Sequence, residues 1–240
     1  MNGEAVYQSI LRELKSQALN STYKQDADER DPKYKSYGVR IPQVREIIKS
    51  HKKEILLLSY DDRLELAQKL ISSEMGEQQT VAFYVLESMP DYFTPDKFHL
   101  LDEFISHMFG WSKIDGFTGG FLQRILEKYP EPLIALVKKW NKSSNVWEKR
   151  ASVVLFTRKI AKSGKFNDIA LSLCSNLVHD NHDLVRKGVG WSLKDMMRSD
   201  KQRITEYIKD LRNQNVSSVI TLYAMKDLSS EERKEILHQK

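Results

Sequence analysis

Apolar positions along this chain recur at intervals of three and four. No segment alternates cleanly with the period of two that a half-buried strand requires. Leu64, Ala67, Leu70 and Ile71 fall on one face of a helix that starts near Ser59. The same reading predicts helices over 3–19, 42–57, 60–73, 76–89, 95–109, 111–128, 131–140, 146–162, 166–178, 182–198, 201–213 and 217–227, with a short one at 230–238. Asn145 with Glu148, and Ser229 with Glu232, have capping-box spacing. Thr94-Pro95 reads as an N-cap followed by proline at the first helical position. Segment 20–37, rich in Tyr, Lys and Asp, reads as a loop. All six prolines lie at or before Pro132, so no proline interrupts the helices after it. The expected fold class is all-α.

Short connections between many helices suit a bundle or a stack of helix pairs, and spacing favours the stack. Trp111, Arg150 and Trp191 are separated by 39 and 41 residues, close to the roughly 40-residue period of HEAT-type repeats. Equivalent positions of successive repeats line one surface of a solenoid. The expectation is therefore an α-solenoid forming one domain over 1–240, with these three residues on one concave, basic face.

Composition narrows the classes. With 40% hydrophobic residues and 23 aromatics among 240 residues, the chain can bury a sizeable core. The longest aliphatic run, Ile55 to Leu58, is far short of the roughly 20 residues that span a bilayer. The first residues, MNGEAVYQ, show no signal-peptide pattern. Cys174 is the single cysteine, which excludes an intrachain disulfide and a cysteine-rich zinc site and fits a cytoplasmic setting. His179 and His182 are three apart without an acidic or cysteine cluster, so no metal site is expected. Formal charge is +5 overall, but residues 136–215 hold 17 basic against 8 acidic residues. A basic half beside a mildly acidic one suggests a polyanionic partner such as nucleic acid; a lysine-rich solvated surface fits too.

Three constellations could carry chemistry. In Trp111-Ser112-Lys113-Ile114-Asp115 the tryptophan and the aspartate are one helical turn apart, an aromatic wall beside a carboxylate. A core tryptophan next to a surface aspartate has the same spacing. In Trp147-Glu148-Lys149-Arg150, Trp147 reads as helix packing, and Arg150 reads as a phosphate clamp or a solvated arginine. In the third, Lys187, Trp191 and Lys194 set an aromatic ring between two cations, which suits a nucleic-acid backbone; lysine stems over a boundary tryptophan are the blander account. Gly110, Gly116, Gly119, Gly120, Gly188 and Gly190 lie in or beside these helices, where a ligand backbone or a neighbouring helix would justify their cost. Cys174 reads as a buried apolar residue.

Taken together, W-x-x-x-D (Trp111, Asp115), W-x-x-R-x-A (Trp147, Arg150, Ala151) and K-x-x-G-W (Lys187, Gly190, Trp191) resemble the AlkD-like DNA glycosylases, a family built from HEAT-like repeats. Tyr37-Gly38-Val39 with Pro42 and Arg45 is similar to that family's N-terminal G-[IV]-x-x-P-x-x-R segment, so the resemblance runs along nearly the whole chain. It implies excision of 3-methyladenine and 7-methylguanine from double-stranded DNA by a monofunctional N-glycosylase. It also implies a grip on the sugar–phosphate backbone that leaves the base stacked. Trp111 and Trp191 would face the lesion's deoxyribose, Asp115 would be the catalytic carboxylate, and Arg150 would clamp the backbone. Lys113, Lys187 and Lys194 are further candidate DNA contacts, and the expected protein is a cofactor-free monomer.

The chain departs from the family in three places. W-S-K-I-D replaces the commoner W-D-x-V-D, Gly119-Gly120 follows the aspartate, and Val216-Ser217-Ser218-Val219 lacks basic residues. Two competing readings share the solenoid: a non-catalytic binder of branched or distorted DNA, motivated by W-S-K-I-D, and a protein-interaction scaffold, which the basic 136–215 segment disfavours.

Overall fold

A computed structural model describes residues 2–19 and 33–238. Among these the structure is helical throughout; the one extended pairing is an isolated bridge between Lys35 and Met75. The chain divides into two compact units, Met1–Leu133 and Ile134–Lys240. The expected loop 20–37 falls mostly outside the described residues, and its last part, 33–37, is non-helical.

The first unit contains α1 (Gly3–Leu19), α2 (Ile41–Leu57), α3 (Tyr60–Ser72), α4 (Gly76–Glu87), α5 (His99–Ser106), α6 (Trp111–Gly116) and α7 (Gln123–Lys128), and it ends within α8 (Pro130–Asn141). Ser59 caps α3, its hydroxyl accepting the Asp62 N–H at 3.1 Å, and Leu66, Ala67, Leu70 and Ile71 are buried. Arg63 is 8% exposed and donates to Ile55 O at 3.0 Å, Leu56 O at 2.5 Å and Ser88 O at 3.3 Å. Its guanidinium thus ties carbonyls at the end of α2 to the C-cap of α4. Thr94 precedes a 3-10 turn, Pro95–Lys97, and the α-helix starts only at His99.

The predicted helix 111–128 is continuous, but Phe117–Leu122 winds as a π-helix between α6 and α7. Phe117 and Phe121 are fully buried there; Phe121 meets Phe93 edge-on at 4.9 Å, and Phe117 lies 6.0 Å from Phe83. Burying each ring stabilises the unit by about 1.5–3 kcal/mol, which fixes the helix that carries Trp111 and Asp115.

The second unit runs from the end of α8 through α9 (Val146–Val154), α10 (Arg158–Ser163), α11 (Asn167–Ser175), α12 (Asp183–Met196), α13 (Lys201–Asn213), α14 (Ser218–Ala224) and α15 (Ser230–His238). Asn145 caps α9 by accepting the Trp147 N–H at 2.8 Å. Ser229 and Glu232 form a complete capping box, with the Glu232 N–H donating to Ser229 Oγ at 3.2 Å and the Ser229 N–H to Glu232 Oε2 at 2.9 Å. Asn141, 3% exposed, donates to Ser152 Oγ at 2.9 Å and Leu173 O at 3.1 Å, bracing α8, α9 and α11. Cys174 is fully buried, and burial pushes its thiol up to about 12.

The predicted helix 146–162 is broken. α9 stops at Val154 and α10 begins at Arg158, whose φ is +57°. The apolar run Val153-Val154-Leu155-Phe156 contains no stop signal; the break comes from a tertiary bond, in which Asp195 Oδ2 accepts the Arg158 N–H at 2.7 Å.

Hydrogen bonds join Glu13 to His51, Val39 to Glu77 and Arg124 to Glu87, at separations of 38, 38 and 37. In the second unit Arg158 meets Asp195 and Ser199 meets Ala161, at separations of 37 and 38. These bonds tie the helices of each unit to one another, as in stacked helical pairs.

Candidate functional site

The first unit holds Trp111, Lys113 and Asp115. Gly110 precedes α6 with φ +95°, a left-handed conformation that glycine adopts freely, and it turns the chain sharply into the helix. Trp111, the first helical residue, is 37% exposed, an unusual position for a large aromatic ring, whereas Asp115 one turn on is only 6% exposed. The pair thus inverts the arrangement of a core tryptophan with a surface aspartate. Lys113 is 4% exposed; its ammonium donates to Thr80 Oγ1 at 3.2 Å and lies 6.0 Å from the Tyr34 ring.

Beside this helix, the segment with Tyr37-Gly38-Val39 is fastened to the start of α4 by Glu77. Its carboxylate, 3% exposed, accepts from Ser36 Oγ at 2.7 Å and from the Tyr37 and Val39 N–H groups at 3.0 Å each. Sequence reading missed Glu77, because a glutamate in the first turn of a helix is ordinary and its three partners lie about 40 residues away.

The second unit holds Arg150, Lys187, Trp191 and Lys194. Arg150 is 5% exposed and donates from Nη1 to Leu184 O at 2.6 Å, with its stem against Gly188. Trp147 is 5% exposed and packs in the core, as its spacing with Ala151 and Val154 suggested. Lys187 is exposed and pairs with Asp183 at 2.8 Å. Lys194 is mostly covered, and its ammonium lies 3.1 Å from Asp227 and 3.4 Å from Asp195. Burial works against its charge, but the Asp227 and Asp195 carboxylates prevail and hold its pKa above the usual lysine value.

Trp191 is part-buried and locked in place. Its indole N–H donates to Asp195 Oδ2 at 3.1 Å, and the Arg158 guanidinium lies over its ring at 5.2 Å. Asp195 is 1% exposed, and its other oxygen lies 3.4 Å from both Lys194 and Arg198. Neither Asp195 nor Arg158 stands out in the sequence. Asp195 reads as one more polar residue of α12, and Arg158 as the middle of a helix that is in fact interrupted.

The glycines resolve towards helix packing. A Cβ on Gly190 would lie 2.7 Å from Tyr223 Cβ and 2.9 Å from Ile220 O, so α12 meets α14 backbone to backbone. Gly116 faces the Phe83 side chain, and Gly188 faces those of Val153 and Arg150, at 3.2–3.5 Å from a Cβ placed there.

Residues 9–228 match the family model for DNA alkylation repair enzymes. The chain belongs to the DNA alkylation repair enzyme family. It is thereby placed among proteins of DNA alkylation repair, with DNA as their substrate. Its fold is similar to the solved structure titled a predicted DNA alkylation repair enzyme from Enterococcus faecalis. The TM-score is 0.72 over 82% of this chain and 90% of that one, and the sequences are 16% identical, so the shared feature is the all-α fold of helical repeats. No curated protein matches the chain. No helix among the described residues is long and apolar enough to cross a membrane.

Proposed function

We propose that the chain is a DNA glycosylase that excises cationic N-alkylated purines, 3-methyladenine and 7-methylguanine, from double-stranded DNA. The observation that carries this reading is the turn of α6 in which an exposed indole, Trp111, stands beside a carboxylate that is 6% exposed, Asp115. Family membership supplies DNA alkylation repair as the setting.

The chemistry suits that pair. An N3- or N7-alkylated purine already carries positive charge, so it leaves as a neutral base and needs no general acid. The C1′–N bond breaks with its electron pair going to the base, and positive charge develops on the deoxyribose. A carboxylate held away from water stabilises that charge more strongly than a solvated one. Asp115 also orients the water that adds to C1′ and takes up its proton. The face of the Trp111 ring attracts the same cation, by about 0.5–2 kcal/mol. Arg150 clamps the DNA backbone by turning its Nη1 donor from Leu184 O to a phosphate. Lys113 and Lys194 support the grip from covered positions, and Lys187 contributes by exchanging its exposed partner Asp183 for a phosphate, a swap that costs little.

The test is release of free base from matched duplexes containing either 7-methylguanine or the uncharged lesion hypoxanthine. The reading expects release of the cationic base only. Equal release of both would mean that a general acid operates, and the single-carboxylate mechanism would be wrong.

One observation favours a second reading, a non-catalytic binder of branched or distorted DNA. Ser112 and the covered cation Lys113 stand between Trp111 and Asp115, where relatives often carry an additional acid. No base release together with tighter binding to branched than to lesion-bearing duplex DNA would select it.

A further inference from the structure

Arg158 combines features that ordinary surface arginines lack. Its backbone is left-handed at φ +57°, a conformation that disfavours a residue with a long side chain and that persists only where the surroundings impose it. What imposes it is Asp195, 1% exposed, whose Oδ2 accepts the Arg158 N–H at 2.7 Å. The same oxygen accepts the Trp191 indole N–H at 3.1 Å. One buried carboxylate oxygen thus sets both the turn that presents the arginine and the edge of the ring on which it rests. The guanidinium itself lies 5.2 Å from the Trp191 ring centroid and belongs to an exposed residue.

Its neighbours are engaged differently. Lys194 and Arg198 are drawn to Asp195 and Asp227, and Arg150 is 5% exposed with a donor on Leu184 O. Arg158 shows no ion pair with a carboxylate among the described residues, so its fork of donors stays open to an anion while the ring limits its freedom. A planar guanidinium on an aromatic face suits a nucleic-acid strand, with the fork matching a phosphate and the ring edge lying against the adjoining sugar.

We propose that Arg158 is a phosphate-contacting residue, seated on Trp191 through Asp195 as a preformed aromatic–cation platform for the DNA backbone. The proposal rests on the DNA-binding part of the reading above and is independent of base release.

The test measures binding of a labelled, undamaged duplex by fluorescence anisotropy across a salt series, for wild type, Arg158→Asn and Arg158→Lys. Asparagine tolerates the left-handed turn but removes the cation. Arg158→Asn should bind about tenfold more weakly at low salt, with the slope of log K against log salt shallower by about 0.9, the loss of one phosphate contact. Arg158→Lys should keep the slope, because the charge remains, and lose several-fold in affinity, because the fork does not. The melting temperature of Arg158→Asn should match wild type; if it falls sharply, Arg158→Gly, which the turn favours outright, carries the same two expectations. Wild-type binding with unchanged affinity and slope in the variants would overturn the proposal and leave the DNA-binding reading standing. Failure of wild type to bind DNA at low salt would overturn both.

Discussion

At the residue scale, burial decides between readings that spacing leaves open. W-x-x-x-D says that two side chains share a helix face, but not which of them meets solvent. The structure gives the less common answer, an exposed Trp111 and a covered Asp115. Trp147 gives the commoner one, and its burial follows from the apolar residues three and four positions along. Trp111→Ala should lower the rate of base release by about three- to thirtyfold, the loss of one cation–π contact with a cationic sugar. Its melting temperature should stay within a few degrees of wild type, because the ring is partly in solvent. A large loss of stability with an unchanged rate would make Trp111 a packing residue. Glu77 and Asp195 were not legible at this scale. Glu77 is a hub through partners about 40 residues away, and Asp195, whose other partners are near in sequence, takes its turn-setting role from the Arg158 N–H 37 residues away.

At the element scale, most helices were legible because local signals and burial agree. Ser59, Asn145 and Ser229 cap where the sequence placed a helix start, and the apolar stripe of α3 packs inwards. Of the two irregular places, the break before Arg158 carries a contact between helices, the Asp195 bond to its N–H, and the π-helical turn at Phe117–Leu122 seats Phe117 and Phe121 in the core. Gly190 shows the same control by neighbours. Gly190→Ala would push a methyl group against Tyr223 and the Ile220 carbonyl at 2.7 and 2.9 Å, and should destabilise the protein by about 1–3 kcal/mol in a urea melt. Gly188→Ala, whose nearest neighbour is Val153 Cγ2 at 3.3 Å, should cost distinctly less. Equal effects would mean that helix propensity, and not the α12–α14 approach, sets the penalty.

Asp180 fastens α9 to the entry of α12. Lys149 Nζ donates to it at 2.7 Å and the His182 N–H at 2.8 Å. Burial alone would raise its pKa, but these donors hold it below the usual carboxylate value. A carboxylate whose folded pKa is lowered adds stability above its unfolded pKa and loses it as pH falls through the folded one. Asp180→Asn should therefore cost about 1 kcal/mol at neutral pH and converge with wild type in acid, below the carboxylate range, when the two are compared by urea unfolding at several pH values. A gap independent of pH would assign the loss to packing.

At the scale of the whole molecule, the all-α class and the family were readable early, because repeat period and motif order are properties of the entire chain. The family model covers residues 9–228. Charge was less informative than its sum implied. Lys187, Lys194, Arg198 and Arg203 of the basic segment are paired with acidic neighbours, so the positive excess does not translate residue by residue into free phosphate contacts. The central claim is that Asp115 drives excision of a cationic purine, and the most direct measurement is release of free 7-methylguanine from duplex DNA by wild type and Asp115→Asn under single-turnover conditions. The account predicts release by wild type and a loss of at least about a hundredfold in the variant, with affinity for undamaged duplex retained. Equal rates for the two proteins, or no release by wild type despite intact DNA binding, would contradict it.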